Sequence, residues 1–102
     1  MPPSEIRSLS PKEFLILDLL VQEGELYGLQ LVKASRKRLK RGTIYVTLGR
    51  MEEKGYVESR LEDSPAKTGG LPRRLYTLTS FGRRVLSVWT RAAETLRPEF
   101  AR

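Results

Sequence analysis

Between Arg36 and Tyr76 the chain carries a dense basic run, a short helical stretch with a small, hydroxyl-rich first turn, and two alternating segments around a glycine- and proline-rich connection. At 102 residues there is room for one modest core, so all of these segments must pack on the same one. The helical stretch is expected to span roughly Arg41 to Lys54, with Gly55 as its stop. Ile44, Leu48 and Met51 recur at i, i+4 and i+7 and define its buried stripe. Gly42, Val46, Gly49 and Glu53 lie opposite, flanked by Thr43, Thr47, Arg50 and Lys54. A helix facing only water favours Ala, Lys and Glu, because Gly costs about 1 kcal/mol and Thr several tenths relative to Ala. Two glycines and two threonines suit a helix that a large rigid body approaches closely, and the DNA major groove is such a body.

Tyr56 to Glu62 and Arg73 to Thr79 alternate like half-buried strands, with Val57, Leu61, Leu75 and Leu78 among the apolar positions. Asp63 to Pro72, with Pro65, Gly69 and Gly70, is a long hairpin tip. Lys67 lies in that tip and Arg73 and Arg74 at its base, on opposite faces of a strand, so one of the two is expected to reach DNA.

Upstream, Ser10, Pro11 and Glu13 form a capping box that opens a first helix ending at Gly24. Its apolar residues, Phe14 and Leu17 among them, cover more than one face, which predicts contact with a second subunit. A short second helix should begin near Tyr27 or Gly28, with Arg36 and Lys37 near its end, where cations complement the helix dipole. Thr79 caps a last helix from Ser80 to about Leu96, whose Val85, Trp89, Ala92 and Leu96 also call for a partner surface. The expected fold is α+β, mainly α: a winged helix-turn-helix with a two-stranded wing and a C-terminal dimerisation helix. Residues 1–79 would form the DNA-binding part and residues 80–102 the dimerisation helix of one compact unit.

Nineteen basic against twelve acidic residues leave a net charge of +7, which favours a polyanionic partner. Cysteine and histidine are both absent, which excludes disulfides, thiolate nucleophiles, histidine acid–base chemistry and the usual zinc sites. No phosphate-binding glycine loop or carboxylate pair on an apolar background appears, so neither an enzyme nor a cofactor is expected. No apolar run approaches ~18 residues, and Met1 to Leu9 lacks a signal-peptide core, so no membrane role and a cytoplasmic location are expected.

Several motifs resemble the PadR family of bacterial transcription regulators. Leu26-Tyr27-Gly28 is similar to the Leu-Tyr-Gly opening of that family's second helix. Gly42-Thr43-Ile44-Tyr45 and Leu48-Gly49-Arg50-Met51-Glu52 match its recognition helix, and Gly69 through Thr79, followed by Gly82, matches its wing strand. Val46 stands where members often carry Pro, and Lys40-Arg41 where they carry Ser-Pro. The resemblance implies a homodimeric repressor of a promoter operator, released by a small aromatic or cationic ligand bound near the dimer seam, where Trp89 would sit. The expected phosphate contacts are Lys37, Arg38, Lys40, Arg41, Lys67 and Arg73. Gly42 allows close approach, Tyr45 reaches a phosphate, and Thr43, Val46, Thr47 and Arg50 supply sequence preference. Tyr27 and Tyr76 are expected to be structural. A winged helix kept only as a protein-docking or dimerisation module is the alternative from another class.

Overall fold

The computed structural model describes residues 9–62 and 72–96, with side chains to residue 92, so Lys67 and the side chain of Leu96 lie outside the described residues. Helix α1 (Pro11–Glu23) opens with the expected box: Glu13 N donates to Ser10 Oγ at 3.2 Å and Ser10 N to Glu13 Oε1 at 2.9 Å. Gly24 closes it at φ +92°, a backbone conformation that favours glycine, while its N–H donates to Leu20 O at 2.8 Å. A two-residue strand β1 (Leu26–Tyr27) leads into α2 (Gly28–Ala34), and an exposed turn connects that to α3 (Ile44–Glu53). Strands β2 (Val57–Leu61) and β3 (Arg74–Leu78) follow, then α4 (Ser80–Leu96). This is a winged-helix fold, with α2 and α3 as the helix-turn-helix and β2–β3 as the wing.

The sheet is antiparallel in the order β1-β3-β2, with Val57 opposite Leu78 and Leu61 opposite Arg74. β1 adds a third strand, pairing Leu26 with Tyr76 and Tyr27 with Leu75. Two residues cannot show an alternation, so this strand leaves no periodic mark on the sequence. Two boundaries also differ from expectation. Gly42 and Thr43 belong to a turn that precedes α3, in which Thr43 N and Ile44 N both donate to Lys40 O, at 3.2 and 2.9 Å. Arg36 and Lys37 lie beyond the end of α2 rather than in its last turn, at φ +55° and +73°.

Ile16, Leu17 and Leu20 of α1, Leu31 of α2, the α3 stripe of Ile44, Leu48 and Met51, Val57 of β2 and Val85 of α4 enclose one core. The expectation that Leu17 and Val85 face a second subunit is therefore corrected: they are 0% and 1% exposed inside the protomer. Glu13 links the capping box to α3. Its carboxylate, in a residue 3% exposed, takes a 2.9 Å ion pair from Lys54 Nζ at the end of that helix. Glu13→Ala removes both the box and this pair. Lys54 keeps a quarter of its side chain in water, so the pair is discounted for solvent screening. The expected loss, read by urea unfolding, is about 2 kcal/mol.

Candidate nucleic-acid interface

The basic run is wound around two buried residues. Leu39, which on the sequence only interrupts five cations, is 2% exposed and joins the core. Ser35, 1% exposed, donates through Oγ to Val32 O at 2.7 Å and accepts Leu39 N at 2.9 Å. Those anchors offset the left-handed backbone at Arg36 and Lys37. Without a glycine, that conformation costs on the order of 1 kcal/mol per residue. Arg36, Lys37, Arg38, Lys40 and Arg41 consequently stand exposed on one short turn that leads directly into α3. An apolar residue in the middle of a charge run was the available signal for this arrangement.

On α3 the stripe faces inward, and Tyr45 and Val46 are 50% and 60% exposed on the outer side. A Cβ added at Gly42 or Gly49 would meet no atom within 4 Å, and neither glycine has a positive φ. The protein's own packing requires neither glycine, and both leave open space on the outer side. Thr47 is half-buried and donates its hydroxyl back to Thr43 O at 3.2 Å. That bond leaves its methyl and its oxygen lone pairs for an outside contact. Arg50 is exposed on the same helix.

Gly28, by contrast, is required internally. A Cβ there would lie 2.6–2.8 Å from the ring edge and hydroxyl of Tyr45, so the bare backbone of α2 makes a seat for that ring. Gly28→Ala is expected to leave the protein folded, since a half-exposed ring can swing away and Ala favours the helix. The phenol would then leave its position, and affinity for duplex DNA is expected to fall several-fold, on the scale of one hydrogen bond to a charged group. Parallel thermal unfolding and binding titrations check this.

At the base of the wing, Tyr27, Glu62 and Arg73 form a closed set. Tyr27 Oη donates to Glu62 Oε2 at 2.8 Å, Arg73 Nη2 donates to Tyr27 Oη at 3.0 Å, and Arg73 Nε donates to Glu62 Oε1 at 3.2 Å. The guanidinium carbon lies 3.8 Å from the centroid of the Tyr27 ring. At that separation the two groups form a cation–π stack. Partial burial works to raise the Glu62 carboxyl, but the hydrogen bonds from Tyr27 and Arg73 outweigh it and hold the group below its ordinary value. The bond to Glu62, followed by partial burial, raises the Tyr27 phenol. A depressed carboxyl contributes stability above its unfolded value and loses it as pH falls through the folded one. The stability gap between wild type and Glu62→Gln is therefore expected to close on acidification, as measured by unfolding across a pH series. Arg74, the first residue of β3, donates through Nη1 to Ser59 Oγ at 3.0 Å, and Ser59 donates to Glu52 at 2.9 Å.

Away from the basic face, Trp89 is half-buried and lines a mostly apolar cleft with Leu9, Ser10, Pro11 and Phe14. Val88, 47% exposed, and Ala92 extend that apolar surface along α4. Among the described residues, no helix is long and apolar enough to cross a membrane.

Residues 16–88 match the model of the transcriptional regulator PadR-like family. No curated protein matches the sequence significantly. Among solved structures, the chain is similar to a PadR family transcription regulator from hypervirulent Clostridium difficile R20291. Identity is 27% and the TM-score 0.73, over 91% of this chain and 100% of that one. A PadR-like transcription factor from Bacteroides fragilis is 26% identical with a TM-score of 0.71, over 84% and 82% of the two chains. Bacillus subtilis PadR, solved in complex with operator DNA, is 28% identical with a TM-score of 0.65, over 76% of this chain and 45% of that protein.

Proposed function

Since this chain belongs to the PadR-like family of transcriptional regulators, we propose that it binds duplex DNA as a homodimer and represses transcription from a promoter operator. The observation that carries this reading is the outer face of α3. Gly49 there, and Gly42 in the turn that leads into it, open onto empty space, beside an exposed run of five cations and next to a helix whose core stripe faces the other way. Such a face fits the major groove, with Thr43, Val46, Thr47 and Arg50 placed to meet base edges. Lys37, Arg38, Lys40 and Arg41 from the turn, with Tyr45 and Arg73, neutralise or bond flanking phosphates, and Lys67, outside the described residues, adds its charge to the same set. Bacillus subtilis PadR, of similar fold, is a precedent for operator binding.

Two copies related by a twofold axis would set their α3 helices in successive major grooves of a pseudo-palindromic site, about one helical turn apart. Phe14, Trp89 and Ala92, joined by Val88, supply the apolar surface for the second copy, and Leu96, whose side chain lies outside the described residues, belongs to the same proposed set. A small aromatic or cationic effector would enter beside Trp89 and release the operator. The site of action is the cytoplasm, where the DNA is.

The experiment is selection from a random duplex pool with sequencing, alongside sedimentation of the free protein and of its complex. An enriched palindrome bound by a dimer, with affinity reduced by Arg41→Ala and base preference relaxed by Thr47→Ala, is the expected result. No enrichment above weak, salt-sensitive binding would reject the reading in favour of a docking module. Quenching of Trp89 fluorescence by aromatic cations tests the effector site.

A further inference from the structure

A cleft of about 380 Å³ separates α2, the start of α3 and the base of the wing, lined among others by Gln30, Lys33, Tyr45, Arg73 and Arg74. Among the described residues no carboxylate lines it. The Lys33 ammonium, the Tyr45 hydroxyl and Arg73 Nη1 find no acceptor among the described residues. Gln30 spends its Oε1 on Tyr27 N at 2.8 Å. Its amide N–H groups remain as donors. Three elements distant in sequence thus direct unspent donors and net positive charge into one hollow. Groups in such a state are complementary to an oxyanion.

The geometry points to this cleft as the seat of one DNA backbone phosphate per half-site, held by Lys33, Tyr45 and Arg73, with Arg74 at its edge. This rests on the reading of the protein as a DNA-binding dimer and adds Lys33, Arg74 and Glu62 to its working residues. The cleft lies between the helix that reads the groove and the wing that flanks it, where a strand of duplex must pass. A backbone phosphate therefore fits its position better than a free anion does. Glu62 is a positioning residue. It occupies Arg73 Nε, Tyr27 takes one N–H of Nη2, and the ring stack keeps the guanidinium flat, so both N–H groups of Nη1 and the second of Nη2 are left to the phosphate. The Glu62 carboxylate beside the seat is engaged by Arg73 and Tyr27, which offsets its charge toward the strand.

The test is a methylphosphonate scan, in which each phosphate of the selected duplex is neutralised in turn and binding is measured for wild type, Lys33→Ala, Tyr45→Phe and Glu62→Gln. One position per half-site is expected to cost the wild type on the order of tenfold. The same substitution is expected to cost Lys33→Ala and Tyr45→Phe much less, because the lost partner is shared. Glu62→Gln, confirmed folded by its melting transition, is expected to lose sensitivity at that same phosphate while keeping the others. Phosphate effects that add in full to every variant would overturn the seat while leaving DNA binding intact. A flat scan, with inorganic phosphate raising the melting temperature at matched ionic strength, would assign the cleft to a free anion and overturn it too. A wild-type protein that selects no duplex would reject the functional reading itself, and the seat with it.

Discussion

Gly82→Ala is expected to destabilise the fold by about 3 kcal/mol, since a Cβ there meets the tightest contact of any described glycine. Gly82 sits in the first turn of α4, and a Cβ there would overlap the Tyr56 carbonyl oxygen and lie 3.0 Å from the carbonyl carbon. Both partners are backbone, so no side chain can swing aside. The junction has little freedom. Tyr56 is fully buried, and its carbonyl already accepts Thr79 N at 3.1 Å and Thr79 Oγ1 at 3.2 Å. Thr79 Oγ1 also donates to Gly55 O at 2.5 Å and accepts Gly82 N at 2.9 Å. The second of these bonds makes it the cap of α4. Making room for the methyl means lifting α4 from the α3–β2 junction and breaking that cap. Overpacking costs about 1–3 kcal/mol or more and the cap about 1, against about 1 gained from helix propensity. For a domain of this size that is a drop in Tm of about 12 °C or more. Calorimetry decides it, and an unchanged Tm would mean that α4 moves freely over the junction.

DNA affinity is expected to fall by about 10³- to 10⁵-fold between roughly 50 and 200 mM salt, the loss that goes with some six to ten phosphate contacts, each of which releases condensed counterions. The physical basis is the exposed turn. Arg36, Lys37, Arg38, Lys40 and Arg41 stand on one short segment held by buried Ser35 and Leu39. Concentrating the charge on a rigid turn places several cations against the backbone at once, with little ordering left to do on binding. Arg41→Ala is expected to reduce the slope of log K against log salt by about 1 for each copy bound and to weaken all sequences alike. Thr47→Ala should leave the slope unchanged and alter base preference. A shallow slope for the wild type would mean that the charge is incidental to binding.

Much of the architecture was legible because it is written in neighbouring residues. The capping box of Ser10 and Glu13, the stop at Gly24 and the stripe of Ile44, Leu48 and Met51 each depend on atoms a few residues apart, and the structure shows them in place. The outward smallness of α3 was also readable, since the stripe assigns the opposite face by angle alone. The excess of apolar residues on α1 and α4 was visible too, but which of them were surplus was not. Periodicity cannot separate a residue buried by its own protomer from one awaiting a partner, and Leu17 and Val85 proved to be of the first kind.

Local order, net charge and the set of available chemistries were therefore determined by the sequence itself: capped helices, a basic turn before a narrow-faced helix, and no histidine or cysteine with which to do catalysis. Tertiary structure alone decided how distant positions meet. It made Leu26 and Tyr27 a third strand on β3, placed the Tyr45 ring on the bare backbone of Gly28, brought α4 onto Tyr56 at Gly82, and closed Glu62 and Arg73 over Tyr27. The physical reason is range. Caps and stripes are set by bonds and angles within a turn of helix, whereas close approach and ion pairing depend on how the whole chain packs around one core.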